Sequence, residues 1–169
     1  MASGADAGGL VGKSYGSSNY LTIDNSYATG TVASPYDNGV GGLVGSVDGY
    51  VTISKSHSSA DVNGSYNVGG LAGYAYYPTI DDSYATGSVA GSNGDVGGLV
   101  GYSYGASTID NSYATGDVVS SQGADVGGLA GYLSTATIYD SYLYVVCQSV
   151  LESLPPVFCF HLVAPVPSV

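Results

Sequence analysis

The chain has 169 residues and a net charge of −11, because 13 acidic residues face only two basic ones, Lys13 and Lys55. With so few cations to neutralise phosphates, nucleic acids and anionic membrane surfaces are excluded as partners. Glycine contributes 27 residues and tyrosine 17, while only 9% of the residues are charged. This composition is too aromatic for a disordered linker and too rich in glycine for a helical solenoid.

Two sequence blocks recur along the chain at matching intervals. The first, Gly-Gly-Leu-(Val/Ala)-Gly, begins at Gly8, Gly41, Gly69, Gly97 and Gly127. The second is Thr-Ile, followed by a polar pair and in most copies by Ser-Tyr-Ala-Thr-Gly. Its isoleucines are Ile23, Ile53, Ile80, Ile109 and Ile138. A fixed period in this range is typical of a solenoid, in which each repeat stacks on the next copy.

Short runs of β-branched and aromatic residues, bounded by Gly, Asn and Asp, predict strands. We predict three strands per repeat, around Gly-Leu-Val-Gly-Tyr, Thr-Ile-Asp and Ser-Tyr-Ala-Thr. A further extended piece is predicted in some coils around a slot that holds Val32, Val62, Val89, Val118 and Cys147. The predicted fold is an all-β parallel β-helix solenoid of about five coils of ~28 residues, with an irregular C-terminal tail.

In a parallel β-helix, equivalent residues of successive coils stack about 4.8 Å apart. The isoleucines of the second block and the leucines of the first should therefore form two apolar seams in the interior. The leucine seam contains Leu10, Leu43, Leu71, Leu99 and Leu129. The paired glycines are expected to permit a tight corner or a close approach to the neighbouring wall.

The repeat array is expected to span residues 1–148, to start in the middle of a repeat and to be a fragment of a longer array. Residues 149–169 form a separate apolar segment rich in proline. This tail has three interpretations: a cap over the last coil, a degenerate or out-of-frame gene end, and a membrane-associated tail too short to span as a helix. Cys147 resembles a small apolar core residue, with a disulfide to Cys159 as the alternative in an oxidising compartment.

Gly-Gly-Leu-Val-Gly-Tyr at residues 97–102, followed by Thr-Ile-Asp-Asn-Ser-Tyr-Ala-Thr-Gly at residues 108–116, resembles the GLUG repeat of bacterial and archaeal surface proteins. The resemblance covers about residues 4–147 in five copies. The second copy departs from it, with Ser-Lys-Ser-His-Ser-Ser-Ala at residues 54–60. The resemblance implies an extracellular, adhesin-like or haemagglutinin-like protein, sometimes with a protease domain beside the repeats, and it brings no catalytic residues.

The residues able to carry chemistry favour structural interpretations. His57 stands where other coils have tyrosine, so a substituted stacking position explains it better than a catalytic or metal role. The carboxylate pair Asp81-Asp82 fills slots that recur in other coils, which is typical of a turn and not of an active site. No cofactor is expected, with weak Ca²⁺ binding as an alternative for aspartates near predicted corners. These are Asp37, Asp48, Asp61, Asp95, Asp117 and Asp125.

Two columns of tyrosines are candidates for a binding face. The candidate ligand-facing ladder contains Tyr27, Tyr84, Tyr113 and Tyr142, and the second column contains Tyr74, Tyr102 and Tyr132. Rings that point inward would fill the core, whereas outward rings would form a flat amphipathic strip suited to glycans or a protein partner. Alternation along the chain does not decide the direction of the ladder, and a structural role is the favoured interpretation.

The sequence therefore favours a non-enzymatic segment of a secreted or cell-surface adhesin-type protein, serving as stalk or display and binding a neutral glycan or a surface protein. No nucleic-acid partner and no membrane insertion are expected. One alternative is the non-catalytic scaffold portion of a polysaccharide-active or protease-associated extracellular enzyme. A second is a self-assembling structural protein, because an uncapped solenoid end exposes strand edges for end-to-end association.

Overall fold

A computed structural model describes residues 6–16, 20–36, 38–122, 125–144 and 147–149. These residues form a parallel β-solenoid of five coils, and the described part of the chain contains 23 strands and no helix. The predicted fold class is confirmed. The repeat unit is one coil, and the strand partners of successive coils lie about 27 to 33 residues apart in sequence.

The first coil contains β1 (Ala7–Gly8), β2 (Val11–Ser14), β3 (Tyr20–Asp24), β4 (Tyr27–Ala28) and β5 (Thr31–Ser34). The second contains β6 (Val40–Gly41), β7 (Val44–Val47), β8 (Tyr50–Ser54), β9 (His57–Ser58) and β10 (Asp61–Gly64). The third contains β11 (Val68–Gly69), β12 (Ala72–Tyr76), β13 (Pro78–Asp81), β14 (Tyr84–Ala85) and β15 (Val89–Gly91). The fourth contains β16 (Val96–Gly97), β17 (Val100–Asp110), β18 (Tyr113–Ala114) and β19 (Val118–Ser120). The fifth contains β20 (Val126–Gly127), β21 (Ala130–Tyr139), β22 (Tyr142–Leu143) and β23 (Cys147–Ser149).

Equivalent strands of the five coils pair in parallel and form four sheets along the solenoid. The glycine sheet has the order β1-β6-β11-β16-β20, the tyrosine sheet β22-β18-β14-β9-β4, and the valine sheet β23-β19-β15-β10-β5. The broad sheet has two rows in the first three coils, β2-β7-β12 and β3-β8-β13, which the long strand β17 joins. Its last strand, β21, pairs with β17.

The valine sheet corrects one sequence prediction. The valine position, predicted to be extended only in some coils, lies in a paired strand in all five coils. Cys147 pairs with Val118, as expected for a residue at the valine position. The reason is burial, since Val62, Val89 and Val118 are at most 1% exposed and pack on the valines of the glycine sheet.

The two predicted apolar seams run through the interior. The isoleucines pair in direct register from coil to coil, and those of the three middle coils, Ile53, Ile80 and Ile109, are 0% exposed. The leucines of the same coils are equally buried. The seams are more exposed in the first and last of the described coils, where Leu10 is 48% exposed and Ile138 is 42% exposed.

The paired glycines narrow the coil between two compartments of the core. A Cβ atom on Gly69 would lie under 3.0 Å from the carbonyl oxygen of Ala72. A Cβ atom on Gly70 would lie under 3.0 Å from both Gly98 O and Ala85 Cβ. The chain also bends at the Gly-Leu pair, so the strand predicted around Gly-Leu-Val-Gly-Tyr is present but begins only at the residue after the leucine, and a separate two-residue strand precedes the bend. The bend separates a larger core, which contains both seams, from a smaller one made of valines.

A serine ladder forms the corner between the broad sheet and the tyrosine sheet. The residue before each serine has a positive φ of 37–48°, a conformation that Asn and Asp tolerate well. Each serine hydroxyl donates to the carbonyl two residues earlier, as from Ser83 to Asp81 at 2.7 Å. The Ser83 N–H in turn donates to the Ser112 hydroxyl of the next coil at 3.1 Å. The serines therefore turn the chain, and the predicted Ser-Tyr-Ala-Thr strand is reduced to Tyr-Ala.

A charge in the isoleucine seam tests the inward assignment. We expect Ile80→Asp to lower the free energy of unfolding by at least about 3 kcal/mol, because it places an unpaired carboxylate between two apolar neighbours. The matched control is Thr86→Asp, which adds the same side chain at an exposed position and should change stability by about 0.5 kcal/mol or less. Thermal unfolding followed by circular dichroism measures both, and equal shifts would contradict the assignment.

Candidate functional site

The tyrosine sheet carries a continuous stack of rings on the outside of the solenoid. This first ring column contains Tyr27, His57, Tyr84, Tyr113 and Tyr142. Successive ring centroids lie 4.7–5.4 Å apart and the ring planes are within 9° of parallel. Tyr27 is 62% exposed, whereas Ala28, the next residue, is buried. The serine forms the corner, so in the two-residue strand that follows it the ring points outward and the alanine points inward. The tyrosines of this column therefore face solvent, a question that the sequence left open.

Stacking decides which part of each ring meets solvent. The faces of the inner rings are covered by their neighbours, so the column presents ring edges and a line of hydroxyl groups. Burial, followed by electrostatic interaction with Tyr84 and Tyr142, raises the pKa of Tyr113. The column therefore offers hydrogen-bond donors and acceptors at a regular spacing, while a free ring face is available only at its ends.

His57 is an aromatic member of this stack. Its ring centroid lies 5.4 Å from that of Tyr27 and 4.7 Å from that of Tyr84, and its strand pairs in register with both neighbouring strands. The prediction of a substituted stacking position is confirmed.

The second ring column is shorter than the first. Tyr74, Tyr102 and Tyr132 stack with centroid distances of 5.6 and 4.7 Å and nearly parallel planes. In the first two coils the same position of the broad sheet is held by Lys13 and Ser46. The predicted column is present, and it begins at the third coil because these two residues replace tyrosine in the first two.

The structure contains a third ring column that was not predicted from the sequence. Tyr20, Tyr50 and Tyr77 stack with centroids 5.0 Å apart, and the ring of Tyr77 then lies over Gly105. A Cβ atom on Gly105 would lie under 3.0 Å from that ring, so this glycine leaves room for it. The signal was available, because each of these tyrosines stands three residues before the isoleucine of its coil.

The described aspartates among those singled out in the sequence lie at turns and strand ends. Asp61 accepts a hydrogen bond from the Ser88 N–H at 3.0 Å, and Asp82 accepts one from the Asn111 amide. Burial, followed by the charge of Asp125 in the next coil, raises the pKa of Asp95. In the described ranges, no three His, Cys, Asp or Glu side chains are grouped to hold a metal ion.

Several predicted features fall outside the described residues. Asp37, Cys159 and the tail beyond residue 149 belong to the ranges that the structure leaves undescribed. Among the residues it does describe, no helix is long and apolar enough to span a membrane.

Comparison with known proteins agrees with the repeat pattern. The model of the GLUG motif matches residues 64–90 and 92–119. Halomucin from Haloquadratum walsbyi is 41% identical over 112 residues, which cover 58% of this chain and 1% of halomucin. A crystal structure from Bacteroides ovatus, of a protein provisionally described as an immunoglobulin A1 protease, shares the fold with a TM-score of 0.65 and 21% identity. That match covers 85% of this chain and 50% of the other. The chain is thus a parallel β-solenoid that contains GLUG motif repeats at residues 64–90 and 92–119.

Proposed function

We propose that this chain is a non-enzymatic repeat segment of a secreted or cell-surface adhesin-type protein. It extends and displays neighbouring parts of that protein, and it binds a neutral glycan or a surface protein weakly along its ring columns. The observation that carries the proposal is the first ring column, which places five stacked aromatic side chains on the outer surface of one hydrogen-bonded solenoid.

The display role follows from the way the coils are joined. Each coil is hydrogen-bonded to the next through four sheets, so bending the array would break several ladders together. With a rise of about 4.8 Å per coil, five coils extend about 24 Å. More coils of the same kind would lengthen the array without changing its cross-section.

The extracellular setting rests on the repeat family and on one relative. The resemblance to the GLUG repeats of bacterial and archaeal surface proteins, and the likeness to halomucin, by its name a mucin, support a location outside the cell. This chain matches 1% of halomucin, so the activity and partners of the whole protein are part of the proposal.

The binding role follows from chemistry that repeats along a face. A line of phenolic hydroxyls and ring edges recognises hydroxylated or amide-bearing partners through hydrogen bonds and partial burial of the rings. The net charge of −11 repels polyanions. Because each coil contributes a similar small surface, affinity should come from many coils or many chains acting together.

An array of immobilised neutral glycans tests this multivalent binding. We expect the biotinylated monomer to bind weakly and its streptavidin tetramer to bind on the order of 10²-fold more tightly. Replacing Tyr84 and Tyr113 by serine should reduce the tetramer's binding, whereas Tyr36→Ser, at a ring that is 86% exposed, should not. Equal loss of glycan binding in both variants, or no gain in affinity on tetramerisation, would contradict binding that is distributed along the ring columns.

The non-enzymatic part of the proposal has a separate test. We expect no hydrolase or lyase turnover when the chain is incubated with a panel of neutral and anionic polysaccharides and reducing ends are counted. Turnover that a single substitution such as Asp81→Asn abolishes would overturn it. An inactive chain within a larger active protein would instead favour the enzyme-scaffold alternative.

Self-assembly is a second candidate, favoured by the two ends of the solenoid. At the first coil Leu10 and Tyr27 are 48% and 62% exposed, and at the last coil Ile138 and Tyr142 are 42% and 46% exposed. Leu10 ends the leucine seam and Ile138 the isoleucine seam, while Tyr27 and Tyr142 end the same ring column, so the two ends expose both the seams and the column. A second copy stacked head to tail would therefore continue both, and such a contact does not close on itself.

Sedimentation velocity tests head-to-tail association. We expect larger species to grow with protein concentration, and Leu10→Asp to suppress them because it puts a charge on the stacking surface. The control Tyr36→Asp adds the same charge to the side of the solenoid and should leave association unchanged. A chain that stays monomeric at all concentrations would rule out this candidate.

A further inference from the structure

The second ring column begins at Tyr74, so one face of this ring has no stacked ring beside it. Tyr102 covers one side of the Tyr74 ring, with centroids 5.6 Å apart and planes 8° from parallel. On the other side the register places Ser46, whose side chain is too short to cover a ring. A cleft of about 330 Å³ opens there, with Tyr74 and Ser46 in its lining.

Polar groups of both kinds surround this open ring. The other lining residues are Asp6, Lys13, Asn38, Asp48 and Asn67. They come from five separate places in the first three coils: the start of the first coil, the strand β2, the turn before β6, the turn before β11, and the bend after β7. Carboxylates accept hydrogen bonds, and amides both donate and accept them, so the cleft presents donors and acceptors around an aromatic surface.

The charges in the cleft disfavour ionic ligands. The Lys13 ammonium lies 3.0 Å from the Asp6 carboxylate and 3.9 Å from that of Asp48. The hydrogen bond to Asp6 raises the pKa of Lys13, which keeps the ammonium charged at neutral pH. A bound metal cation would have to displace this ammonium, and an anion would meet two carboxylates against one ammonium. An uncharged ligand with many hydroxyl groups meets neither objection and can use both the donors and the acceptors of the lining.

We propose that this cleft binds one pyranose unit of a neutral glycan. The apolar C–H face of the sugar packs on the open face of Tyr74, and the sugar hydroxyls hydrogen-bond to Asp48, Asn38 and Asn67. Burial, followed by the charge of Asp48, raises the pKa of Tyr74, in keeping with a carboxylate close to this ring. A cleft of about 330 Å³ lies at the lower end of the range for small-molecule sites, about 300–1,000 Å³.

This proposal deepens the proposed function, on whose neutral-glycan partner it rests, by naming a discrete site. The ring columns present edges at many coils, whereas the cleft presents a ring face at one position. The two therefore predict different stoichiometries. Binding at the cleft should be one sugar site per chain and should not require multivalent display.

Titration calorimetry of the monomeric chain with neutral trisaccharides built of glucose, galactose or mannose tests the cleft. We expect saturable binding of at least one of them at one site per chain. Tyr74→Ala should weaken it by about tenfold or more, because the packing surface is lost. Asp48→Asn, which keeps the shape and removes the charge, should weaken it less.

A second variant keeps the test valid if Tyr74→Ala fails to fold. Ser46→Tyr should extend the second ring column by one ring and cover the free face of Tyr74. Sugar binding should then be abolished while the circular dichroism spectrum is preserved. Tyr139→Ala is the matched control, since this tyrosine is 56% exposed in the fifth coil, far from the cleft and outside the three ring columns, and its loss should leave the one-site binding unchanged.

Three outcomes would overturn the proposal that the cleft binds a sugar. They are no saturable binding of any trisaccharide by the folded chain, binding that survives both Tyr74→Ala and Ser46→Tyr, and calcium binding in the same titration that Asp48→Asn removes. If the tetramer's glycan-array signal is insensitive to Tyr74→Ala but lost on replacing Tyr84 and Tyr113, the cleft fails and the ring-column function stands. The reverse pattern would retain the cleft and reject the columns.

Discussion

The structure depends on the in-register parallel pairing of one coil with the next. Because equivalent residues pair directly, each side chain is packed against the side chain that occupies the same slot about 28 residues away. Like then meets like: isoleucine on isoleucine, serine on serine, tyrosine on tyrosine. For apolar and aromatic side chains this is favourable, since each added coil buries more surface and adds another stacked ring.

The same constraint is unfavourable for charges, and the acidic slots show its effect. Asp24 is paired with Ser54, and Asp82 lies beside Asn111, so a carboxylate often has a neutral hydrogen-bond donor as its neighbour. Where two carboxylates do follow each other, as Asp95 and Asp125 do, their repulsion adds to burial in raising the pKa of Asp95. Asp81 and Asp110 also pair in register, but several other carboxylates stack on neutral side chains, which limits the repulsion within a chain whose net charge is −11.

The narrow cross-section explains why the surface holds the features that could bind a partner. The glycine pairs bring the glycine sheet within contact of the alanines of the tyrosine sheet, so the interior accommodates only small and medium apolar side chains. Tyrosine rings are therefore placed outside, where stacking still buries their faces. Regular stacking gives a uniform face, and a departure from it, such as Ser46 above Tyr74, creates a local cleft.

The spacing of the two blocks was enough to predict the coil, the leucine and isoleucine seams and the first two ring columns, because a period fixes which residues become neighbours. It could not place the corners. The serine that ends the broad sheet turns the next ring outward through hydrogen bonds to the following coil, and those bonds exist only after stacking. The cleft also needed the tertiary structure, since Asp6, Asn38 and Asn67 reach Tyr74 from separate turns. Periodicity determines what stacks on what, whereas the path of the chain around each coil determines what meets across it.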